Sequence, residues 1–123
     1  MSKIRILIVD DSPFIHKAIT KAVNTTEEYE ICGIAKNGKE GVELYTTLKP
    51  DLVTMDITMP IMNGLEASKT IITQDPSAKI VMLSAMGDEE LMATAQEIGI
   101  KSFIQKPFKN DGFITSIQAA YKG

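Results

Sequence analysis

The chain has 123 residues, which is enough for one folded domain and too few for two. Hydrophobic residues make up 44% and charged residues 24%, a composition that excludes an intrinsically disordered or collagen-like chain. Thirteen Lys and Arg residues stand against 16 Asp and Glu residues, and the formal charge of −3 argues against a basic surface for nucleic acid.

Neither a membrane span nor an export signal is recognisable. No apolar run approaches the roughly 18–20 residues that a span requires, and no charged segment followed by an apolar stretch and a cleavage site begins the chain. The single cysteine, Cys32, has no partner for an internal disulfide, which is typical of a reducing compartment. We therefore expect a cytoplasmic monomer with one domain over residues 1–123, acting away from nucleic acid and membranes.

Five short apolar runs predict β-strands, at residues 4–9, 31–35, 52–55, 80–83 and 102–105. Most of these runs are continuous rather than alternating, which is typical of strands buried on both faces of a sheet. The fifth run is more polar than the others and predicts an edge strand. Cys32 falls in the second run and is expected to be buried in the sheet.

The segments between the strands carry helix signals. Ser12 and Pro13 provide an N-cap and a favoured first residue, and His16 is expected on the solvent side of this first helix. Its apolar stripe consists of Phe14, Ile15, Ala18, Ile19, Ala22 and Val23. Further helices are predicted at about 39–48, 65–73, 88–99 (with Asp88 as N-cap) and 110–121. Five strand–helix pairs with short connections indicate an α/β fold with a parallel sheet covered on both faces.

Polar side chains follow four of the predicted strands. In this architecture ligands bind beyond the carboxyl ends of the strands, and the residues at those ends are Asp10, Asp11, Asp56, Ser84 and Lys106. Each has an ordinary explanation when taken singly, because Asp is common in turns and Lys is common on surfaces. Three crowded carboxylates, however, repel one another and lose solvation unless a cation or proton compensates. The combination predicts a ligand site.

The residue types at this edge favour a particular chemistry. Clustered carboxylates without thiols or a second histidine favour Mg²⁺ or Mn²⁺ over zinc. Such a site suits an incoming phosphoryl group, whose oxygens the cation and Lys106 would hold while Ser84 donates a hydrogen bond and a carboxylate attacks. Neither G-x-G-x-x-G nor a Walker lysine follows the first strand, which argues against a loop that cradles a nucleotide.

Four motifs carry a family resemblance: V-D-D-S at 9–12, M-D-I-T-M-P-x-M-N-G at 55–64, L-S-A at 83–85 and K-P-F at 106–108. With these motifs in this order, the chain resembles the receiver domain of two-component response regulators over nearly its whole length. The resemblance is greatest to single-domain chemotaxis receivers. It implies a doubly wound, flavodoxin-like, five-stranded parallel sheet with strand order 2-1-3-4-5, and a cis peptide before Pro107.

The resemblance also implies a role for each residue at the strand ends. Asp56 would accept the phosphoryl group, and Lys106 would pair with it. Asp11, Asp56 and the backbone carbonyl of Thr58 would bind Mg²⁺ directly, with Mn²⁺ as a substitute. Asp10 would act on the metal mainly through water.

Conformational switching is implied for two further positions. Ser84 would move to bond the new phosphoryl oxygen, and Phe103, where the family often has Tyr, would turn inward. Helix four, strand five and helix five would then form the readout surface. Thr58 and Met86 stand at positions that tune dephosphorylation in the family, and neither side chain orients water strongly. We therefore expect phosphoryl loss to depend on a separate phosphatase.

The implied function is that of a response regulator. A histidine kinase would phosphorylate Asp56, and the output would be contact with a downstream protein such as the flagellar motor switch. The chain would catalyse only its own phosphorylation and dephosphorylation. The alternatives are a phosphate sink, or a receiver in a pathway other than chemotaxis. A Mg²⁺-dependent aspartyl-phosphate phosphohydrolase would need a general acid where Thr58 stands, and the acidic first loop argues against a flavodoxin-like cofactor binder.

Overall fold

The computed structural model describes residues 3–59 and 61–122, in which five strands alternate with five helices. The elements are β1 (Ile4–Val9), α1 (Pro13–Val23), β2 (Tyr29–Ala35), α2 (Gly38–Leu48), β3 (Leu52–Asp56), α3 (Gly64–Gln74), β4 (Ile80–Ser84), α4 (Glu89–Ile98), β5 (Ser102–Gln105) and α5 (Asn110–Lys122). All strand pairs are parallel, and their order in the sheet is β2-β1-β3-β4-β5. The doubly wound α/β fold and its strand order are confirmed.

Strand boundaries differ from the predicted ones at the start of β2 and at the carboxyl ends of β3 and β4. β1 and β5 match the prediction, and β5 is an edge strand as expected. β2 begins two residues early, at Tyr29, whose side chain is buried. β3 and β4 each extend one residue further, to Asp56 and Ser84. Both of these polar residues are therefore held by the sheet rather than by a loop.

Helices cover the two faces of the sheet and enclose two separate hydrophobic cores. Side chains of α1 and α5, including Ile19, Phe113 and Ile117, pack against one face. Side chains of α2, α3 and α4, including Tyr45 and Ile71, pack against the other. Burial of such aliphatic and aromatic surface is the main force that stabilises the sheet between them. Within the described residues, no helix is long and apolar enough to cross a bilayer.

Two assignments of buried side chains were wrong. Phe14 is 77% exposed, because burial along α1 is confined to its second half, where Ile19, Ala22 and Val23 are the buried residues. Cys32 is only half-buried, since β2 lies at an edge of the sheet and the register against β1 shifts at this residue. A bulge of this kind leaves one residue without a partner on the neighbouring strand.

The loop between β3 and α3 returns closely to the end of β3. The backbone N–H of Gly64 donates to the carbonyl oxygen of Ile57 at 3.1 Å, and a Cβ atom at Gly64 would overlap the carbonyl oxygen of Asp56. Glycine is required here because the two backbone segments are in contact. The start of α3 is thereby packed directly against the end of β3, which carries Asp56.

Candidate functional site

The carboxyl ends of β1, β3, β4 and β5 meet at one edge of the sheet. They bring together the five side chains predicted from the sequence, which are Asp10, Asp11, Asp56, Ser84 and Lys106. Asp56 lies opposite Leu83 in the β3–β4 ladder, one residue before Ser84. This convergence follows from parallel topology, which places all strand ends of one polarity at the same edge.

Three carboxylates form the centre of this edge. One oxygen from each of Asp10, Asp11 and Asp56 lies within 4.8 Å of the others. Asp10 is fully buried and Asp56 is 7% exposed, whereas Asp11 is exposed. Both oxygens of Asp10 are already engaged, one by the backbone N–H of Ser12 at 2.9 Å and the other by Lys106. Asp11 makes no side-chain hydrogen bond within the described residues and is available to bind a ligand.

The donor set fits a hard divalent cation. All three groups are carboxylates, and one Lys⁺ does not balance three negative charges when all are ionised. Oxygen donors of this kind are the ligands that Mg²⁺ prefers, and a cation of charge +2 would complete the charge balance. The site thus has both the oxygen ligands and the excess negative charge that a Mg²⁺ site requires.

Lys106 connects two of the carboxylates. Its Nζ lies 3.1 Å from Oδ2 of Asp10 and 3.2 Å from Oδ1 of Asp56. Its backbone N–H donates to the carbonyl oxygen of Ser84 at 2.7 Å, and the Lys106–Pro107 peptide is cis, as the family resemblance implies. Burial alone would lower the pKa of Lys106, but the charges of Asp56 and Asp10 outweigh it and raise that pKa. Lys106 is therefore a fixed cation at the site.

The pKa of the Asp56 carboxyl group is shifted, as is common for residues at functional sites. Its pKa is raised from 3.8 to about 6, first by burial and then by the charge of Asp10, although Lys106 and the backbone amide of Thr58 act in the opposite direction. The carboxylate of Asp56 is thus held in an environment that disfavours its negative charge. A cation bound beside it would reverse this preference.

The two predicted switch residues lie on neighbouring strands. Ser84 ends β4 and is 3% exposed, and Phe103 in β5 is half-buried against the core beneath α4. After Ser84 the chain is exposed at Ala85, Met86 and Gly87, and Gly87 has a φ of 98°. Asp88 makes no side-chain cap to α4 and instead accepts the backbone N–H of Ala85 at 2.7 Å. This hydrogen bond closes the loop over the end of β4.

Sequence reasoning missed one polar contact at the site. His16, which was expected to face solvent, is half-buried, and its Nε2 lies 2.5 Å from the backbone carbonyl oxygen of Asp10. A carbonyl oxygen only accepts, so Nε2 carries the hydrogen and donates. The available signal was the Ser12 cap, which starts α1 so that a residue one turn later lies close to the end of β1.

Sequence reasoning also missed an apolar feature of the same edge. Three large side chains in the segments that follow β1, β3 and β4 are mostly exposed: Phe14 at 77%, Ile61 at 80% and Met86 at 87%. Thr58 is likewise exposed, two residues after Asp56. Exposed apolar groups beside a polar site are typical of surfaces that contact another protein.

Comparison with known proteins gives one consistent result. A model of the response regulator receiver domain matches residues 6–118. The chemotaxis protein CheY of Thermotoga maritima is 47% identical over 118 residues, which cover 96% of this chain and 98% of that protein. The response regulator domain of Thermotoga maritima CheB superposes with a TM-score of 0.89 at 32% identity, covering 99% of this chain and 98% of that one.

A second similar solved structure contains Mg²⁺ and BeF₃. It is the CheX–CheY–BeF₃–Mg²⁺ complex from Borrelia burgdorferi, which matches with a TM-score of 0.88 at 34% identity, covering 95% of this chain and 88% of that one. The family model spans most of the chain, and the relatives agree with it over nearly their full lengths. The chain therefore belongs to the response regulator receiver domain family and is closely related to the chemotaxis receivers named CheY.

Proposed function

We propose that this chain is a phosphorylation-dependent signalling switch of chemotaxis, with Asp56 as the phosphoacceptor and residues 1–123 acting as a single receiver domain. The observation that carries the proposal is the position of Asp56, which is buried beside Asp10 and Asp11 and forms a salt bridge with Lys106 at the edge where the carboxylates converge. A relative at 47% identity bears the name of a chemotaxis protein, which supports the pathway.

The metal ligands in this proposal are Asp11, Asp56 and the backbone carbonyl of Thr58, with Asp10 acting through water. The free carboxylate of Asp11 and the unbalanced negative charge support a site for Mg²⁺, with Mn²⁺ as a substitute. A bound Mg²⁺ supplies positive charge that neutralises the carboxylates and the phosphoryl oxygens. The crystallised Borrelia relative contains Mg²⁺, in agreement with this assignment.

Phosphoryl transfer then follows from the positions of this chain's own groups. A carboxylate oxygen of Asp56 attacks the phosphorus of a kinase phosphohistidine, a P–O bond forms, the P–N bond breaks, and the imidazole regains a proton from solvent. Lys106 pairs with a phosphoryl oxygen, and the hydroxyl of Ser84 donates to another. The apolar side chains of Phe14, Ile61 and Met86 around the site favour docking of a protein donor.

The response to phosphorylation begins at Ser84. The added negative charge draws its hydroxyl toward the phosphoryl group, and the exposed segment 85–87 follows. Phe103 turns inward into the space that is released, which changes the surface formed by α4, β5 and α5. A downstream protein, which we propose to be the flagellar motor switch, reads this surface. A separate phosphatase resets it, because neither Thr58 nor Met86 orients water strongly.

A phosphotransfer assay tests this proposal. Purified chemotaxis histidine kinase, autophosphorylated with labelled ATP, is mixed with the chain, with Asp56→Asn and with Asp51→Asn as a matched surface control. We expect label to move to the wild-type chain and to Asp51→Asn within minutes, and not to Asp56→Asn. Label transfer to Asp56→Asn would refute the assignment. Sustained release of phosphate from a simple phosphate ester would favour the phosphohydrolase alternative instead.

A further inference from the structure

Each of the three successive peptide units around Asp10 and Asp11 makes a hydrogen bond, and one of these bonds comes from α1. The N–H of Asp10 donates to the carbonyl oxygen of Ala35 at 3.0 Å, which fixes the peptide before Asp10. The N–H of Ser12 donates to Oδ1 of Asp10 at 2.9 Å, which fixes the peptide after Asp11. The peptide between Asp10 and Asp11 is held by His16, whose Nε2 donates to the carbonyl oxygen of Asp10.

We propose that His16 is a positioning residue for metal binding, which fixes the direction of the Asp11 carboxylate by holding the Asp10–Asp11 peptide plane. This inference rests on the proposed function, in which Asp11 binds Mg²⁺ directly. His16 itself does not touch the metal or the phosphoryl group.

Few contacts other than the backbone hold Asp11 in place. Its side chain is exposed and makes no hydrogen bond within the described residues, so the backbone alone sets the direction of its Cα–Cβ bond, from which the carboxylate reaches the metal by rotation about χ1 and χ2. A peptide unit is planar, so fixing its carbonyl oxygen fixes the plane and with it the start of the next residue. Among the residues that the structure describes, the His16 imidazole is the one hydrogen-bond partner of that peptide.

The position of His16 is itself well determined. Its backbone N–H donates to the carbonyl oxygen of Ser12 at 3.1 Å, and its carbonyl oxygen accepts the hydroxyl of Thr20 at 2.7 Å. It lies one turn into α1, which packs on the sheet through buried residues such as Ile19. The imidazole thus connects a rigid helix to the metal-binding segment, the arrangement by which outer groups orient metal ligands.

Two variants separate the donor function from the size of the ring. His16→Phe keeps a ring of similar size and removes the N–H, whereas His16→Arg offers N–H groups on a flexible side chain. Lys21→Ala, at an exposed position of the same helix, is the matched control. Mg²⁺ affinity is measured by titration calorimetry on each protein, with thermal unfolding in EDTA to verify that each variant is folded.

We expect His16→Phe to weaken Mg²⁺ binding about tenfold, the usual size of an effect from an orienting group, and Lys21→Ala to leave the affinity unchanged. His16→Arg should recover most of the affinity. The rate of phosphorylation by acetyl phosphate should fall in His16→Phe at low Mg²⁺ and return close to the wild-type rate at saturating Mg²⁺. A purely structural role would lower the melting temperature without moving the Mg²⁺ concentration for half-maximal rate.

The wild-type protein offers a second test that needs no variant. The chain has one histidine, so its imidazole signals in nitrogen-15 NMR are unambiguous. In metal-free protein we expect hydrogen on Nε2 and slow exchange of that hydrogen with water. Hydrogen on Nδ1 with none on Nε2, or wild-type Mg²⁺ affinity in folded His16→Phe, would overturn the inference alone. A wild-type chain that binds no Mg²⁺ would overturn the proposed function as well.

Discussion

Replacing Asp56 with Asn should stabilise the metal-free chain at neutral pH. Burial and the neighbouring Asp10 raise the pKa of Asp56 from 3.8 to about 6, so the folded state resists its ionisation. A shift of roughly 2 pKa units corresponds to about 3 kcal/mol, at roughly 1.4 kcal/mol per unit. Asn keeps the shape of the side chain, carries no charge and still accepts a hydrogen bond from Lys106. The variant should therefore gain up to about 3 kcal/mol in the free energy of unfolding at pH 7.5.

Because the pKa of Asp56 is raised in the folded state, the stability difference between the wild type and Asp56→Asn should depend on pH. Between pH 4 and 6 the folded chain binds more protons at Asp56 than the unfolded chain, so this group's contribution to stability falls as the pH rises through that window. Asp56→Asn and the wild type should thus have similar stability near pH 4 and diverge toward pH 7. The cost of ionised Asp56 is fully present above pH 6.

Thermal unfolding in EDTA across pH 4 to 8 measures this difference. At about 4 °C per kcal/mol for a domain of this size, the melting temperature of Asp56→Asn should exceed that of the wild type by about 10 °C at pH 7.5. Glu43→Gln, at an exposed position of α2, is the control and should show no such gap. Equal melting temperatures at pH 7.5, or a gap that closes as the pH rises, would refute the reasoning.

Three further substitutions test other parts of the structure. Lys106→Met removes the cation that lowers the pKa of Asp56, so a carbon-13 NMR titration in EDTA should place that pKa above 6, and phosphorylation by acetyl phosphate should slow at least tenfold. Gly64→Ala forces a Cβ onto the carbonyl oxygen of Asp56 and should cost about 1–3 kcal/mol in urea unfolding, whereas Gly112→Ala, within α5 and with open space around it, should raise the stability by up to about 1 kcal/mol. Tyr45→Phe removes the 2.7 Å hydrogen bond that the Tyr45 hydroxyl donates to the carboxylate of Asp75. The substitution should lower the free energy of unfolding by about 1–2 kcal/mol, while phosphorylation stays at the wild-type rate.

The sequence was most informative where topology alone determines the outcome. Continuous apolar runs separated by amphipathic segments predict a parallel sheet, and parallel strands place their carboxyl ends together. Asp10, Asp56 and Lys106 therefore had to converge once the strand positions were known, and their salt bridges confirm that they do. No knowledge of side-chain packing was needed for this part of the site.

Features that depend on how one helix sits against the sheet were not predicted. Phe14 belongs to the apolar stripe of α1 by periodicity, yet it is exposed, because the residues of α1 that are buried lie in the second half of the helix. His16 lies on the polar side by the same periodicity, and yet its imidazole reaches the carbonyl oxygen of Asp10. Periodicity gives the angle of a residue around the helix axis. It does not give the distance from that residue to the end of a neighbouring strand.

Intact mass spectrometry after incubation with acetyl phosphate tests the central claim most directly. The wild-type chain is compared with and without EDTA, and alongside Asp56→Asn. We expect one added phosphoryl group on the wild-type chain in Mg²⁺, and none in EDTA or on Asp56→Asn. An adduct that survives in Asp56→Asn, or one that forms equally well in EDTA, would contradict the assignment of Asp56 and its carboxylate neighbours as a metal-dependent phosphoacceptor site.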